Sequence, residues 1–274
     1  MPNVSDDFIF SQSSLQNYVD CPRRFQLKYL DQVRYPAPEV DDMLSFEQRM
    51  MQGKRFHHLV HQHLLGISPD ILQARIHDPD VARWFTAYLQ SGTDNLPPTY
   101  YPEQTLTVNI GDYALLAKFD LIAIGKRAVI VDWKTSRKLP RRDWLAHKLQ
   151  TIVYRYVLAR GGNRLNAGTA IAPEAIDMRY WFADHDGQTI DFTYDDAQFQ
   201  ADEAYLLGLM QAIDRSTEFP KTDDERLCLF CSYRSLCERG TSAGTLEAWD
   251  GLDYDADDLT AFEIDIDQIA EIEF

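Results

Sequence analysis

No apolar run in these 274 residues approaches the roughly 18 needed to cross a bilayer. The opening segment, MPNVSDDFIFSQSS, lacks a basic stretch followed by an apolar one. No secretory signal is therefore expected, and the sequence predicts a cytoplasmic chain with no membrane partner. Cysteine is scarce: there are four, and three of them fall within ten residues, in CLFCSYRSLC from Cys228 to Cys237. The fourth, Cys21, lies far away in NYVDCPRRF. Thiols stay reduced in the cytoplasm, so a C-x-x-C pair there points to metal or redox chemistry more than to disulfides. Lys and Arg are absent after Gly240, where eleven Asp and Glu residues gather. Removing those eleven from the 43 acidic residues leaves 32 against 27 basic ones, so most of the formal net charge of -16 belongs to this tail. The body is close to balance, and the charge that would argue against a nucleic-acid partner is an appendage.

Turning to what is present, hydrophobic periodicity divides the chain. Ser11 and Ser13 are N-cap candidates for a helix through LQNYV that continues into CPRRFQLKYL. PAPEVDD is a break, and apolar residues then recur every three or four positions from Phe46 to Leu65, ending at Gly66. Short helices fill 69–90, followed by the loop SGTDNLPP. The period then changes to two. QTLTVNI, YALLAKFDLIAI and AVIVDWKT read as strands, with turns at Gly111-Asp112 and Gly125-Lys126. AVIV is apolar on both faces, as in a central strand. An amphipathic helix is expected over 142–160, then strands IDMRYWFA and TIDFTY around Asp186-Gly187, and a helix from DAQFQ capped by Asp195 or Asp196. The fold class is mixed α/β. The end of the tail, EIDIDQIAEIEF, is either a solvated acidic end with edge-strand character or a segment that docks on a basic groove.

The chemistry concentrates in LLAKFDLIAIGKRAVIVDWKTS. Residues i and i+2 of a strand share a face, so Asp132 and Lys134 project together and Trp133 points away. The turn at Gly125-Lys126 brings Asp120 alongside Asp132. Two carboxylates and an ammonium at the edge of an apolar sheet cost several kcal/mol unless they bind something. Paired carboxylates suit a hard cation such as Mg²⁺ or Mn²⁺. The basic run RKLPRR follows directly, giving Arg137, Lys138, Arg141 and Arg142 as candidate phosphate contacts, with Arg23, Arg24, Lys148 and Arg155 as further ones.

Asp120…Asp132-Trp133-Lys134 resembles the bipartite motif of the PD-(D/E)xK nuclease superfamily, and more narrowly its RecB-like branch. Gly53-x-x-x-His57 resembles the upstream G-x-x-x-H motif of that branch, and Gln150-x-x-x-Tyr154 its downstream Q-x-x-x-Y motif. Cys21 with Cys228, Cys231 and Cys237 is similar to the split four-cysteine set of the iron–sulfur members, which include CRISPR-associated RecB-like exonucleases and AddAB-type nuclease domains. The resemblance implies a restriction-endonuclease-like core, a central mixed sheet flanked by helices. It also implies a nuclease domain over 1–240 with a helical insertion at about 40–100, followed by the acidic tail 241–274.

The same resemblance implies a Mg²⁺- or Mn²⁺-dependent deoxyribonuclease, acting on single-stranded DNA or DNA ends in repair, recombination or defence. His57, Asp120, Asp132 and the backbone carbonyl of Trp133 are its metal ligands. Lys134, Gln150 and Tyr154 complete the catalytic set. His57 is taken over His58, His61 and His63 for its spacing from Gly53, although His57 and His61 also have zinc-ligand spacing. Four thiolates bind zinc or a [4Fe–4S] cluster equally well by their chemistry; the resemblance favours the cluster, in a structural role that pins the two chain ends together. The rival expectations are a non-cleaving DNA clamp within a helicase or nuclease complex, and a CRISPR spacer-acquisition subunit.

Overall fold

A computed structural model describes residues 4–5, 7–33, 43–241 and 244. Strand β1 (Ile9–Ser11) runs into helix α1 (Gln12–Asp20), whose N-cap is Ser11. Ser11 and Ser14 form a reciprocal capping box, each side chain bonding the other's backbone N–H. Cys21 is extended and ends α1, Pro22 starts α2 (Pro22–Phe25), and a π-turn covers Gln26–Leu30. The expected single helical run is therefore broken at Cys21, because proline has no N–H to continue the ladder.

Helix α3 (Met43–Leu64) is followed by Gly66 at φ 93, a left-handed position that suits glycine. The short α4 (Pro69–Gln73) and α5 (Pro79–Ser91) follow, the latter capped by Asp78, which accepts from the N–H groups of Asp80 and Val81. Strands β2 (Thr99–Ile110), β3 (Tyr113–Ile124) and β4 (Ala128–Lys134) come next. The expected helix over 142–160 is split into α6 (Arg142–Ala146) and α7 (Leu149–Gly161) by an extended Lys148. Strands β5 (Ile176–Phe182) and β6 (Gln188–Thr193) flank the Asp186-Gly187 turn, both of whose residues have positive φ. Helix α8 (Asp196–Arg215) starts at Asp195, whose side chain accepts from Gln198 N–H.

The six strands form one mixed sheet. Strand β2 pairs with β3 along its whole length, antiparallel. The other edge of β3 is divided: residues 114–116 pair with β1 in parallel, and 121–124 pair with β4 antiparallel. Residues 117–120 lie between these two partners. Strand β4 pairs with β5 in parallel over all seven of its residues but with β3 only as far as Val131. The strands β3 and β4 thus separate at the level of Asp120 and Asp132.

The sheet is covered on both faces. One layer, around Phe119, Ile130, Met178 and Tyr180, packs under α1, α7 and α8. The other, around Leu121, Val131, Trp133 and Trp181, packs under α3 and α5 through Phe56, Val60, Trp84 and Tyr88. Helix α7 is buried on nearly every side, as expected of a helix between a sheet and two others. Among the described residues no helix is long and apolar enough to cross a membrane. The acidic tail falls almost wholly outside the described residues.

Candidate active site

Alternation in β4 divides its end between the two layers. Trp133 enters the α5 layer, where its ring meets Tyr88 edge-on at 5.8 Å between centroids. Asp132 and Lys134 point the other way, toward α7, each about 2% exposed. Their charges meet directly, Lys134 Nζ to Asp132 Oδ2 at 2.8 Å. From α7, Gln150 Nε2 donates to Asp132 Oδ1 at 2.8 Å and lies 3.4 Å from the Tyr154 hydroxyl. Gln150 and Tyr154 share a helix face one turn apart, which is why both reach the strand.

Asp120 occupies the place where β3 changes its facing. Phe119 belongs to the layer under α7, against the Tyr154 ring at 4.8 Å, and Leu121 to the layer under α5. Strict alternation would put both on one face. Opposite Asp120 in β2, Glu103 has φ 50, between the regular pairs Pro102–Leu121 and Gln104–Phe119. Such local irregularities recur beside functional groups. The result is an Asp120 carboxylate that accepts from Trp133 N–H at 3.0 Å and faces His57 Nδ1 at 3.4 Å. His57 comes from α3, on the opposite layer from Gln150.

Burial pushes the Tyr154 hydroxyl well above the usual phenol range, and the charges of Asp132 and Asp120 push the same way. Tyr154 therefore stays a neutral O–H across any ordinary pH. Burial of Lys134 and Asp132 together is tolerable because they pair and Gln150 adds a bond.

The predicted set thus gathers as two groups, His57–Asp120 and Asp132–Lys134–Gln150–Tyr154, joined through the backbone at Trp133. Among the described residues no three His, Cys, Asp or Glu side chains converge closely enough to hold a metal ion. The donor chemistry suits a hard cation, with one imidazole and two carboxylates at a strand end, but Asp132 is turned to Lys134 and Gln150. Of the histidines not chosen, His63 bonds the Tyr88 hydroxyl at 3.0 Å, and burial lowers its pKa.

Several of the expected DNA-contacting residues are engaged within the protein itself. Arg155 is buried against Asp202 at 3.7 Å, donates to the Thr151 and Thr193 carbonyls, and stacks on Tyr194. Burial lowers its pKa despite those partners. Lys148 is buried too, 4.1 Å over the Trp144 ring. Neither side chain is exposed at the surface. Arg142 is exposed but held at β6 by the Asp191 carbonyl and the Phe192 ring. Arg137, Lys138 and Arg141 are exposed just beyond Lys134. Arg23 bonds Gln26, and Arg24 pairs with Asp20 at 2.6 Å beside the cysteines.

Cys21, Cys228, Cys231 and Cys237 line one cavity, together with Arg24, Lys221, Arg234 and Arg239. All four are free thiols. The segments that carry the cysteines meet there: Arg23 N–H donates to the Pro220 carbonyl at 3.1 Å, and Phe25 stacks on Phe219 at 6.4 Å between centroids. Burial pushes the Cys228, Cys231 and Cys237 thiols up, and neighbouring cysteines add to it.

Sequence reasoning missed Tyr180. Its hydroxyl lies 2.7 Å from Thr151 Oγ1 and 3.4 Å from Gln150 Oε1, and Lys134 Nζ lies 5.8 Å from its ring centre. Tyr180 is in register with Asp132 across the parallel β4–β5 pair. The only sequence signal for it is an aromatic two residues from the end of a buried strand, and nothing local says which strand pairs with which.

Comparison with known proteins gives one family. The model of the PD-(D/E)XK nuclease superfamily matches residues 9–238. No curated protein sequence matches the chain significantly. Among solved structures, the chain is similar to SSO0001, at 16% identity and TM-score 0.42, over 85% of this chain and 87% of that one. It is also similar to a candidate exonuclease from Eubacterium rectale, at 10% identity and TM-score 0.47, over 82% of this chain and 91% of that one.

Proposed function

The chain belongs to the PD-(D/E)XK nuclease superfamily, and from that premise we propose that it is a Mg²⁺- or Mn²⁺-dependent deoxyribonuclease of the RecB-like branch, acting as an exonuclease on single-stranded DNA or DNA ends. The observation that carries this reading is the buried Asp132–Lys134 pair braced by Gln150, beside Asp120 and His57, where β3 and β4 separate. A structural ion pair would have no need of a second carboxylate and an imidazole within the same opening.

His57, Asp120, Asp132 and the Trp133 carbonyl would hold the cation. Once bound, a divalent ion supplies Lewis acidity to a phosphodiester and makes a coordinated water more acidic. Asp132 would share its carboxylate between the cation and Lys134, with Gln150 holding Asp132 Oδ1 in place. The Lys134 ammonium would lie beside a bound phosphate, where it could steady developing negative charge or position a water. Tyr154, fixed as a neutral O–H, braces the Gln150 amide. Arg137, Lys138 and Arg141 are the phosphate contacts that remain after the burial of Arg155 and Lys148 is taken into account.

At the cysteines the reading is a [4Fe–4S] cluster, with zinc as the alternative, holding the N-terminal helices to the C-terminal segment. The support is that four free thiols line one cavity with four cationic side chains to offset thiolate charge, although as placed the thiols do not converge on one point and a bound cluster would have to draw them together. Metal analysis and visible absorption of protein purified without oxygen test it: iron, sulfide and a brown colour are expected. Colourless zinc protein would keep the clasp and change its metal.

One observation favours a rival. Asp132 is closed on Lys134, which suits a DNA clamp that binds without cutting, within a helicase–nuclease or CRISPR adaptation complex. A cleavage assay with Mg²⁺ or Mn²⁺ separates the two, because a clamp retains DNA and leaves it intact.

A further inference from the structure

The residue after Lys134 is gripped from α3. Arg49 Nη2 donates to the Thr135 carbonyl at 2.9 Å and also bonds Asp184 Oδ2. One nitrogen thus ties the exit of β4 to Asp184. Four residues on, Gly53 lies so close to the same residue that a Cβ would sit 3.3 Å from Thr135 Oγ1. Four further on is His57, facing Asp120 at 3.4 Å. Positions 49, 53 and 57 form one stripe of the helix. That stripe runs from Asp120, inside β3, to the exit of β4, where Arg49 holds the residue next to Lys134.

Asp184 sits where it can serve this contact. It follows β5, whose Phe182 is in register with Lys134, so it stands just beyond the level of Thr135. Its carboxylate is nearly buried and takes three donors. Arg83 bonds Oδ1 at 2.6 Å, Trp84 Nε1 bonds Oδ1 at 2.7 Å, and Arg49 bonds Oδ2. The Arg49 guanidinium also lies 4.6 Å over the Trp84 ring. A fixed donor plane, stacked on one side and ion-paired at its edge, leaves Arg49 little rotamer freedom.

We propose that Arg49, held by Asp184 and Trp84, is a positioning residue of the site. It fixes the β4 exit, and with it the Lys134 ammonium, at a set distance from His57. The role of Lys134 rests on the nuclease reading above. The placement of the strand end does not.

Two measurements test this separately. The first is amide hydrogen exchange of a peptide spanning 131–137, in free protein with no substrate. Arg49→Ala is expected to speed exchange there, whereas Arg83→Ala, which removes an Asp184 partner but no bond to Thr135, is expected to leave it unchanged. The second is cleavage kinetics. Arg49→Ala is expected to lower kcat about 10- to 100-fold, the range for residues that orient a first contact shell, with KM nearly unchanged and partial recovery in Arg49→Lys. If Arg49→Ala does not fold, Arg49→Lys carries both readouts, with a smaller change of the same sign. Unchanged exchange in the Arg49 variant, or an equal change in Arg83→Ala, overturns the proposal. A wild-type protein that cuts no DNA overturns the nuclease reading and leaves the exchange result to decide the positioning one.

Discussion

Gln150 is the residue whose removal separates support from chemistry. Its amide donates to Asp132 at 2.8 Å, and its side chain is buried. Gln150→Ala is expected to lower the cleavage rate about 10- to 100-fold, as loss of an orienting bond to a ligand does, with DNA binding retained. Equal loss of binding, read by anisotropy, would mean that Gln150 contacts DNA instead. Asp184 gives a pH dependence. Burial alone would raise its carboxyl, but bonds from Arg83 and Trp84 and the charge of Arg49 hold it below the usual carboxylate range. A depressed folded value gives stability that is present above the unfolded pKa of about 4 and is lost as pH falls through the lower folded value. The unfolding free energy lost in Asp184→Asn should therefore be larger at pH 7 than at pH 3, and an equal loss at both would show that the ionised form is not what the partners stabilise. At this scale the sequence was readable where the chain itself supplies the geometry. Asp132 and Lys134 lie two apart on one strand, and Gln150 and Tyr154 lie four apart on one helix. It was not readable where tertiary contact decides. Arg155 looks like a surface cation until Asp202, 47 positions later, is seen to cover it.

At the scale of elements, the decisive feature is the separation of β3 from β4. Periodicity predicted both strands and the turn between them. It could not show that β1, only three residues long, occupies the far half of the same β3 edge and leaves Asp120 in the gap. A three-residue strand is too short for any pattern, and parallel pairing has no local signature. The break at Lys148 was missed for a related reason: the apolar spacing continues across it, whereas the backbone does not. Helix α3 offers a direct probe. Gly53→Val would press side-chain atoms onto Thr135, with an overpacking cost of about 1–3 kcal/mol. It should also move His57 away from Asp120. Chemical denaturation together with the cleavage rate checks this, and a variant with wild-type stability and rate would mean that α3 does not rest on β4 there.

For the whole molecule, the N-terminal helices and the segment that leads to the last three cysteines join through Phe25, fully buried and stacked on Phe219. Phe25→Ala is expected to cost about 3–5 kcal/mol and to loosen the cysteine cavity along with the fold. A loss of under 1 kcal/mol, about the size of an ordinary surface change, would detach the clasp from stability. The gathering of Cys21 with Cys228, Cys231 and Cys237 could be anticipated from their number and spacing, whereas the nature of the ion could not, since four thiols serve iron and zinc alike. The acidic tail would add a long-range electrostatic effect through its sequence charge alone. Its charge is phosphate-like in sign and density, so deleting residues 245–274 should raise DNA affinity at low salt, with the gain fading as salt is added. Unchanged affinity at low salt would dismiss a role for the tail in access to DNA.

The central claim is that the residues around Asp132 and Lys134 cut DNA with the help of a divalent cation. Wild type and Lys134→Ala should be compared on end-labelled single-stranded and duplex DNA, with Mg²⁺, with Mn²⁺ and with EDTA. The account predicts cleavage by wild type in either metal, none in EDTA, and none by Lys134→Ala in any condition, with circular dichroism showing that the variant is folded. Equal cutting by both proteins, or intact DNA in every lane, would contradict it.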